Sequence, residues 1–290
     1  MRSRIDKYPD EVIDPLGMLH FILVHVACLA VFFVGVSQFA IWTCVILAIV
    51  RMFAITGGYH RYFSHRSYKT NRVFQFLIAL IGTAAAQMGP LWWAAHHRHH
   101  HKYSDTKDDQ HSPITKGFFW AHMGWIMCKR NYATYDREVI KDFEAYPELR
   151  WLTKYALIVP FVLAMALFAY GHHLDIRAPQ LGTNGIQMVI WGFFVSTVIL
   201  YHCTFLINST THLIGTKRYE TGDDSKNHWL LAILTMGEGW HNNHHRYPSS
   251  ERQGIFWWEV DMTHYILKIL SWFGVVSDLR VPPKEAYDKK

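Results

Sequence analysis

The sequence predicts an all-α integral membrane protein: four transmembrane helices joined to a cytoplasmic helical cap that carries a histidine-rich centre for two metal ions. Three observations predict it. Half of the 290 residues are hydrophobic and 16% aromatic, yet only 18% are charged, which is apolar for a soluble domain of this size. The apolar residues gather into four runs of about membrane-spanning length. The densest groups among the twenty histidines fall outside those runs.

Residues 16–36 and 39–58 are near-continuous apolar stretches separated by Ser37-Gln38, each about the ~20 residues that a helix needs to cross a bilayer. They read as a membrane hairpin. The first run follows Pro9, Asp10, Glu11 and Asp14 and is too long for a signal-peptide core, so it is not read as cleaved. Residues 59–151 begin the cap. Within them Phe74 to Ala95 is apolar but contains Gly82, Gln87, Gly89 and Pro90. It reads as an interfacial helix or a shallow re-entrant element turning at Gly89-Pro90, because a crossing would separate the histidines on either side of it. Residues 152–171 and 186–207 form a second pair of spans, joined by a loop with His172, His173, Asp175 and Pro179, and 208–290 complete the cap.

Lys and Arg set the orientation, since cytoplasmic loops carry the excess. The Ser37-Gln38 turn has none and the 172–185 loop only Arg177, whereas Arg61 to Lys154 holds fourteen and the tail after the fourth run ten. Both termini and the cap therefore face the cytoplasm. The formal charge of +6 follows from this topology and from anionic headgroups nearby; it does not point to nucleic acid. Cys28, Cys44, Cys128 and Cys203 are scattered, without the spacing of a zinc knuckle, iron–sulfur site or disulfide framework. No repeat, low-complexity tract or Gly/Ser linker divides the chain, so 1–290 reads as one membrane-bound domain.

Neutral imidazole binds Fe, Cu, Ni and Zn at neutral pH. His97, His100 and His101 lie three and four apart and share one helix face, as do His241, His244 and His245. His60 and His65 are five apart and point about 140° away from each other on a straight α-helix, which predicts a helix end or break. Eight or nine imidazoles are too many for one ion, so two neighbouring ions are the economical reading; solvated histidine patches are the alternative.

On these patterns the chain resembles the membrane-bound fatty acid desaturases, of acyl-CoA and acyl-lipid Δ9 type. The resemblance covers nearly the whole chain and extends to Thr56-Gly57, His101-Lys-Tyr-Ser-Asp105, Gly117-Phe-Phe-Trp-Ala-His-Met-Gly-Trp125 and Gly237-Glu-Gly-Trp-His-Asn-Asn-His-His245. It implies a diiron centre that activates O2, with ligands at His60, His65, His97, His100, His101, His212, His241, His244 and His245 and a water-mediated contact at Asn208. His96 and His99, off the ligand face, are read as orienting ligand rings, and Glu238, Asp105 and Asp109 as carboxylates accepting their free N–H groups. The resemblance also places Gln87, Trp93 and Thr204 at a polar pinch that bends an acyl tunnel. Met52 and Ala48 lie eight and twelve residues before His60, close to two and three turns, and are read as lining the tunnel's blind end.

The implied reaction is O2-dependent insertion of a cis double bond near C9 of a saturated long-chain acyl group, carried by CoA or by a lipid. Lys129-Arg130 suits CoA phosphates, while Ala95-His96 replaces the Arg-Asp pair of typical acyl-CoA desaturases. No flavin or nucleotide fingerprint and no fused cytochrome b5 stretch is visible, so electrons are expected from a separate ferredoxin, rubredoxin or cytochrome b5 type carrier with its reductase. A bacterial inner membrane is the expected location. The rival readings are a related diiron membrane hydroxylase or decarboxylase and, from another class, a histidine-rich metal transporter, whose ligands would line a path through the bilayer.

Overall fold

A computed structural model describes residues 11–288; the extreme termini assigned to the cytoplasm lie outside the described residues. Among the described residues, three helices are long and apolar enough to cross a membrane: α2 (Gln38–Ser64), α6 (Ile158–Arg177) and α7 (Gly185–Thr210). The first apolar run instead gives a shorter helix, α1 (Leu19–Val34). A 3-10 turn at Cys28–Ala30 interrupts it, and it is about 24 Å long at 1.5 Å per residue, less than the ~30 Å hydrocarbon core. It stops at Gly35, whose φ of 67° is readily adopted only by glycine.

Each long helix departs from its expected bounds for a physical reason. Ser37 caps α2 by accepting the Ala40 N–H at 3.1 Å, and the helix runs past residue 58 through Ser64 by rewinding as a π-helix over Ala54–Ser64. That winding corrects the expected break: the His65 N–H donates to the His60 carbonyl at 3.2 Å, an i→i+5 bond that stacks the two residues on one face. The third span begins at Ile158 rather than 152, because Pro147–Lys154 (α5) forms its own short helix. It continues through His172, His173 and Asp175 to Arg177, residues expected in a loop. Buried Gly171 and Leu174 keep that end packed while its polar side chains stay exposed. In α7, residues Met188–Val195 are also π-wound.

The segment between the first two histidine patterns folds as α3 (Arg72–Thr83), a turn over 84–89, and α4 (Pro90–Tyr103). Asn71 caps α3 by accepting the Phe74 N–H at 2.9 Å, and Pro90 opens α4 where its missing N–H costs nothing. At about 18 Å, α3 is too short to cross. The turn holds Ala86 and Met88 in the left-handed region (φ 57° and 66°), at about 1–3 kcal/mol each. Its carbonyls gain partners: the Tyr201 hydroxyl donates to Ala86 O at 2.7 Å and the Tyr59 hydroxyl to Met88 O at 3.3 Å. An unsatisfied group in hydrocarbon costs several kcal/mol, so the capped, strained turn is the cheaper arrangement.

The remaining elements close over the end of α2. Trp229–Leu234 (α8), His241–Arg246 (α9) and Met262–Trp272 (α10) are joined by long connections, and Lys69–Thr70 pairs antiparallel with Val276–Ser277. A buried arginine ties this half together. Arg61 on α2 donates to Asp261 at 2.9 Å, to Glu238 at 3.2 Å and to the Glu251 carbonyl at 2.6 Å. Large apolar side chains such as Phe32, Phe33, Phe161 and Val162 remain exposed on α1 and α6, the surface of a protein solvated by lipid.

Candidate metal centre

The π-wound end of α2, the C-terminal half of α4, the residues after α7 and the short α9 meet at one point. Ligand atoms of His60, His65, His97, His101 and His244 lie within 4.8 Å of one another, and so do those of His100, His212, His241 and His245. The two groups adjoin: the His101 and His245 rings are 4.4 Å apart, and His100 and His101 are neighbours on α4. Both H-x-x-H-H faces thus divide their histidines between the two groups. That division, and the pairing of His60 with His65, comes from three-dimensional packing.

The donor set fits cations better than it fits itself. In the first group the Nε2 atoms form a chain, His65 to His97 at 2.9 Å, His97 to His101 at 3.0 Å, His101 to His244 at 2.8 Å and His244 to His60 at 3.0 Å. Each ring nitrogen carries either one proton or one lone pair, so no more than two of these four contacts can be good hydrogen bonds. A cation would accept all five lone pairs. In the second group, Nδ1–H of His100, His212 and His245 donates to Asp109 (3.0 Å), Asp105 (2.8 Å) and Asp223 (2.6 Å). This fixes the tautomer with the Nε2 lone pair facing inward, and the buried His245 Nε2 has no protein partner.

Electrostatics favour the same state at six of these histidines, whereas at His100 the effect of burial is outweighed by the Asp109 carboxylate, which holds the ring above the usual histidine range. Burial, and then repulsion from neighbouring imidazoles, holds His65, His97, His101, His241 and His244 well below the usual histidine range. Burial also brings His245 down to about 4, against the opposing pull of Asp223. Neutral imidazole is the form a metal needs. Burial pushes Asp105, Asp109, Asp223 and Glu238 upward, but their histidine partners outweigh it and keep all four below the ordinary carboxylate range.

Glu238 meets His60 Nδ1 in a short contact. Gly237 sets it there from a backbone at φ 124°, closed to other residues. Asp109 also groups with His100 and His111. It engages Nδ1 of His100, so we read that trio as the support behind the second group. His96 Nε2–H donates to the Asn131 carbonyl at 2.7 Å and packs on Trp92, and His99 packs on Tyr103. The contacts of His96 and His99 among the described residues therefore replace the ring-orienting role expected of them.

Two cavities reach the centre. The outer one is lined by Met18, His20, Gln87, Trp92 and Tyr132 among others; the inner one by Met52, Ile55, Thr56, Thr235 and Glu238 among others. Trp93, His97, Thr204 and Asn208 line both. At this junction Gln87 donates to Thr204 at 3.1 Å, and Trp93 stacks on His97 at 5.1 Å. Met52 lines the inner cavity, whereas Ala48, read with it as the tunnel's blind end, lines neither. Lys129 and Arg130 are exposed, close in sequence to Ile126 and Tyr132 on the outer wall.

Sequence reasoning missed Asp223, Glu251 and Asp261. Asp223 sits in the irregular stretch 213–228 between His212 and α8, and its only sequence signal is the turn-forming Gly222-Asp-Asp-Ser225. Glu251 and Asp261 lie far from Arg61 along the chain and carry no pattern.

Fold and site define a helical protein with three helices apolar enough to cross a membrane and paired histidine clusters beside two adjoining cavities. A profile of the family described as fatty acid desaturase matches residues 37–271. An sn-1 stearoyl-lipid 9-desaturase of Synechocystis sp. is 37% identical over 280 residues, covering 93% of this chain and 81% of that protein. The Anabaena variabilis protein of the same name is 36% identical over 279 residues, covering 94% and 96%. An acyl-CoA 5-desaturase of Anemone leveillei is 36% identical over 290 residues, covering 97% and 84%. The chain belongs to the fatty acid desaturase family, and it is an oxidoreductase of lipid metabolism.

Proposed function

We propose that this protein inserts a cis double bond near C9 of a saturated long-chain acyl group at a centre of two irons. The observation that carries the proposal is the placement of two adjoining imidazole clusters where two apolar cavities meet. His60, His65, His97, His101 and His244 would hold one iron and His100, His212, His241 and His245 the other, with Asn208 reaching the second through water. Reduced iron supplies the O2 chemistry that removes hydrogen from unactivated methylenes. In overall balance, one hydrogen leaves each of two adjacent carbons and a C=C bond forms. Two electrons and two protons from outside complete the reduction of O2 to two waters.

The chain's own residues determine which carbons react. The Gln87–Thr204 hydrogen bond and the Trp93 ring narrow the channel beside the centre and hold the acyl chain bent, so that one pair of methylenes faces the ligands. Met52 limits chain length, and Met52→Ala extends the preferred substrate by a carbon or two. A 16-carbon against 18-carbon competition, read by gas chromatography, checks this.

Exposed Lys129 and Arg130 beside the outer mouth favour a CoA carrier, since both suit phosphate contacts. A lipid carrier is the second reading, favoured by the two relatives named stearoyl-lipid 9-desaturases. Ferredoxin, rubredoxin or cytochrome b5 with its reductase would deliver electrons at the cytoplasmic face, with α1 as a fourth membrane element and the termini on that side. The test uses iron-loaded protein in phospholipid vesicles with ferredoxin, its reductase and NADPH. Δ9 product from stearoyl-CoA, with none from stearoyl-phospholipid, is expected; product from the lipid alone overturns the CoA assignment, and product from neither overturns the function.

A further inference from the structure

Arg51 lies on α2 nine residues before His60 and is 1% exposed. A cation inside a span is expensive and is ordinarily paired or functional. Among the described residues, no carboxylate lies within ion-pair distance of it. The guanidinium instead donates to four neutral oxygens. Nε donates to Leu47 O at 3.1 Å and Nη2 to Ser196 Oγ at 2.5 Å, while Nη1 donates to both Ala84 O at 3.1 Å and Thr197 Oγ1 at 2.8 Å.

Two of those partners, Ala84 and Thr197, lie on the turn over 84–89 and on α7, the elements that carry Gln87 and Thr204 at the junction. Ala84 begins the strained turn that carries Gln87, and its carbonyl completes an alternating set with Ala86 O and Met88 O, which Tyr201 and Tyr59 cap. Thr197 lies on α7 seven residues before Thr204, two turns along the same face. One nitrogen of Arg51 therefore bridges the turn bearing Gln87 and the helix bearing Thr204. These two residues make the 3.1 Å contact beside the clusters.

We infer that Arg51 is the positioning residue that sets where the acyl channel bends, and so which pair of methylenes faces the metals. It touches neither substrate nor metal and acts through the two walls. The absence of an acid suits this role, because a carboxylate would draw the guanidinium away from the neutral oxygens it joins. The inference rests on the cavities being the acyl channel.

The test compares wild type with Arg51→Gln, Arg51→Lys and Thr197→Val, at matched amounts of detergent-soluble, iron-loaded protein. Double-bond position is located by mass spectrometry, and kcat and KM are measured separately. Arg51→Gln is expected to spread the product over two or more positions and to lower kcat by up to about 100-fold, the cost of an ångström-scale misplacement, with KM little changed. Arg51→Lys restores part of the selectivity, and Thr197→Val, which frees only one wall, gives a smaller spread. A single unchanged double-bond position in Arg51→Gln and Thr197→Val overturns the inference and leaves Arg51 a structural residue. If Arg51→Gln does not fold, Thr197→Val decides by the same criterion. Absence of unsaturated product from wild type would overturn the proposed function instead.

Discussion

The two histidine clusters share their ligand chemistry but differ in what stands behind them. Behind the five-histidine group is one carboxylate, Glu238, and it also pairs with Arg61 at 3.2 Å and Gln253 at 3.1 Å. Behind the four-histidine group are three, Asp105, Asp109 and Asp223, each bound to a different imidazole. Their remaining partners are hydroxyls and backbone N–H groups, among them Ser112, Thr221 and the amides of His111 and Asp224. A carboxylate on the far nitrogen makes an imidazole more basic and fixes its orientation. The second cluster is thus the more electron-rich, and the first relies on an extra imidazole. Paired sites built from one residue type can be made unequal by the residues around them.

The largest effects should come from removing a ligand. His101→Ala strikes only the first cluster and His245→Ala only the second. Each should abolish product and reduce bound iron from two to about one or fewer, with helical circular dichroism retained. Full activity in either variant would break the assignment of that cluster.

Next come the carboxylates. Asp223→Asn should weaken one metal-binding event by about 10–100-fold, measured by competition with a chelator. Glu238→Gln should cost less, since Arg61 already offsets part of its charge. Equal losses in the two variants would erase the difference between the clusters. In wild type, graded chelation should release the two ions in separate phases and lower the melting temperature at the same time, because bound metal stabilises the folded state. A single phase would mean the clusters hold metal equally. The smallest effect belongs to His96→Gln, which loses a bond to the Asn131 carbonyl but no ligand; its iron content should match wild type, and a drop to one iron would make His96 a ligand.

Much of this centre was legible in the sequence, because three- and four-residue spacing translates directly into a shared helix face. His97, His100 and His101 share a helix face as their spacing demands, although His97 and His101 turn to one cluster and His100 to the other, and the apolar runs mark the three long helices. The proximity of His60 and His65 was not legible. It depends on i→i+5 winding, which nothing in Ala-Ile-Thr-Gly-Gly-Tyr-His announces and which the packing of α2 against α3 and α4 decides. The extent of α6 was misread because His172, His173 and Asp175 look like a loop, yet helix termini outside hydrocarbon tolerate polar residues. Arg51 passed as one charge in an apolar run, since its meaning lies in Ala84, Ser196 and Thr197, residues distant in sequence. Asp223 sits in irregular chain, where position follows from tertiary contacts alone.

The central claim, that these clusters desaturate an acyl chain, is tested most directly in a host lacking its own desaturase. Cells expressing the wild-type chain should accumulate cis-monounsaturated fatty acids with the double bond at C9, located by mass spectrometry, and cells expressing His101→Ala should accumulate none. A fatty acid profile unchanged by well-expressed wild-type protein, or a hydroxylated product in place of an alkene, would contradict the account.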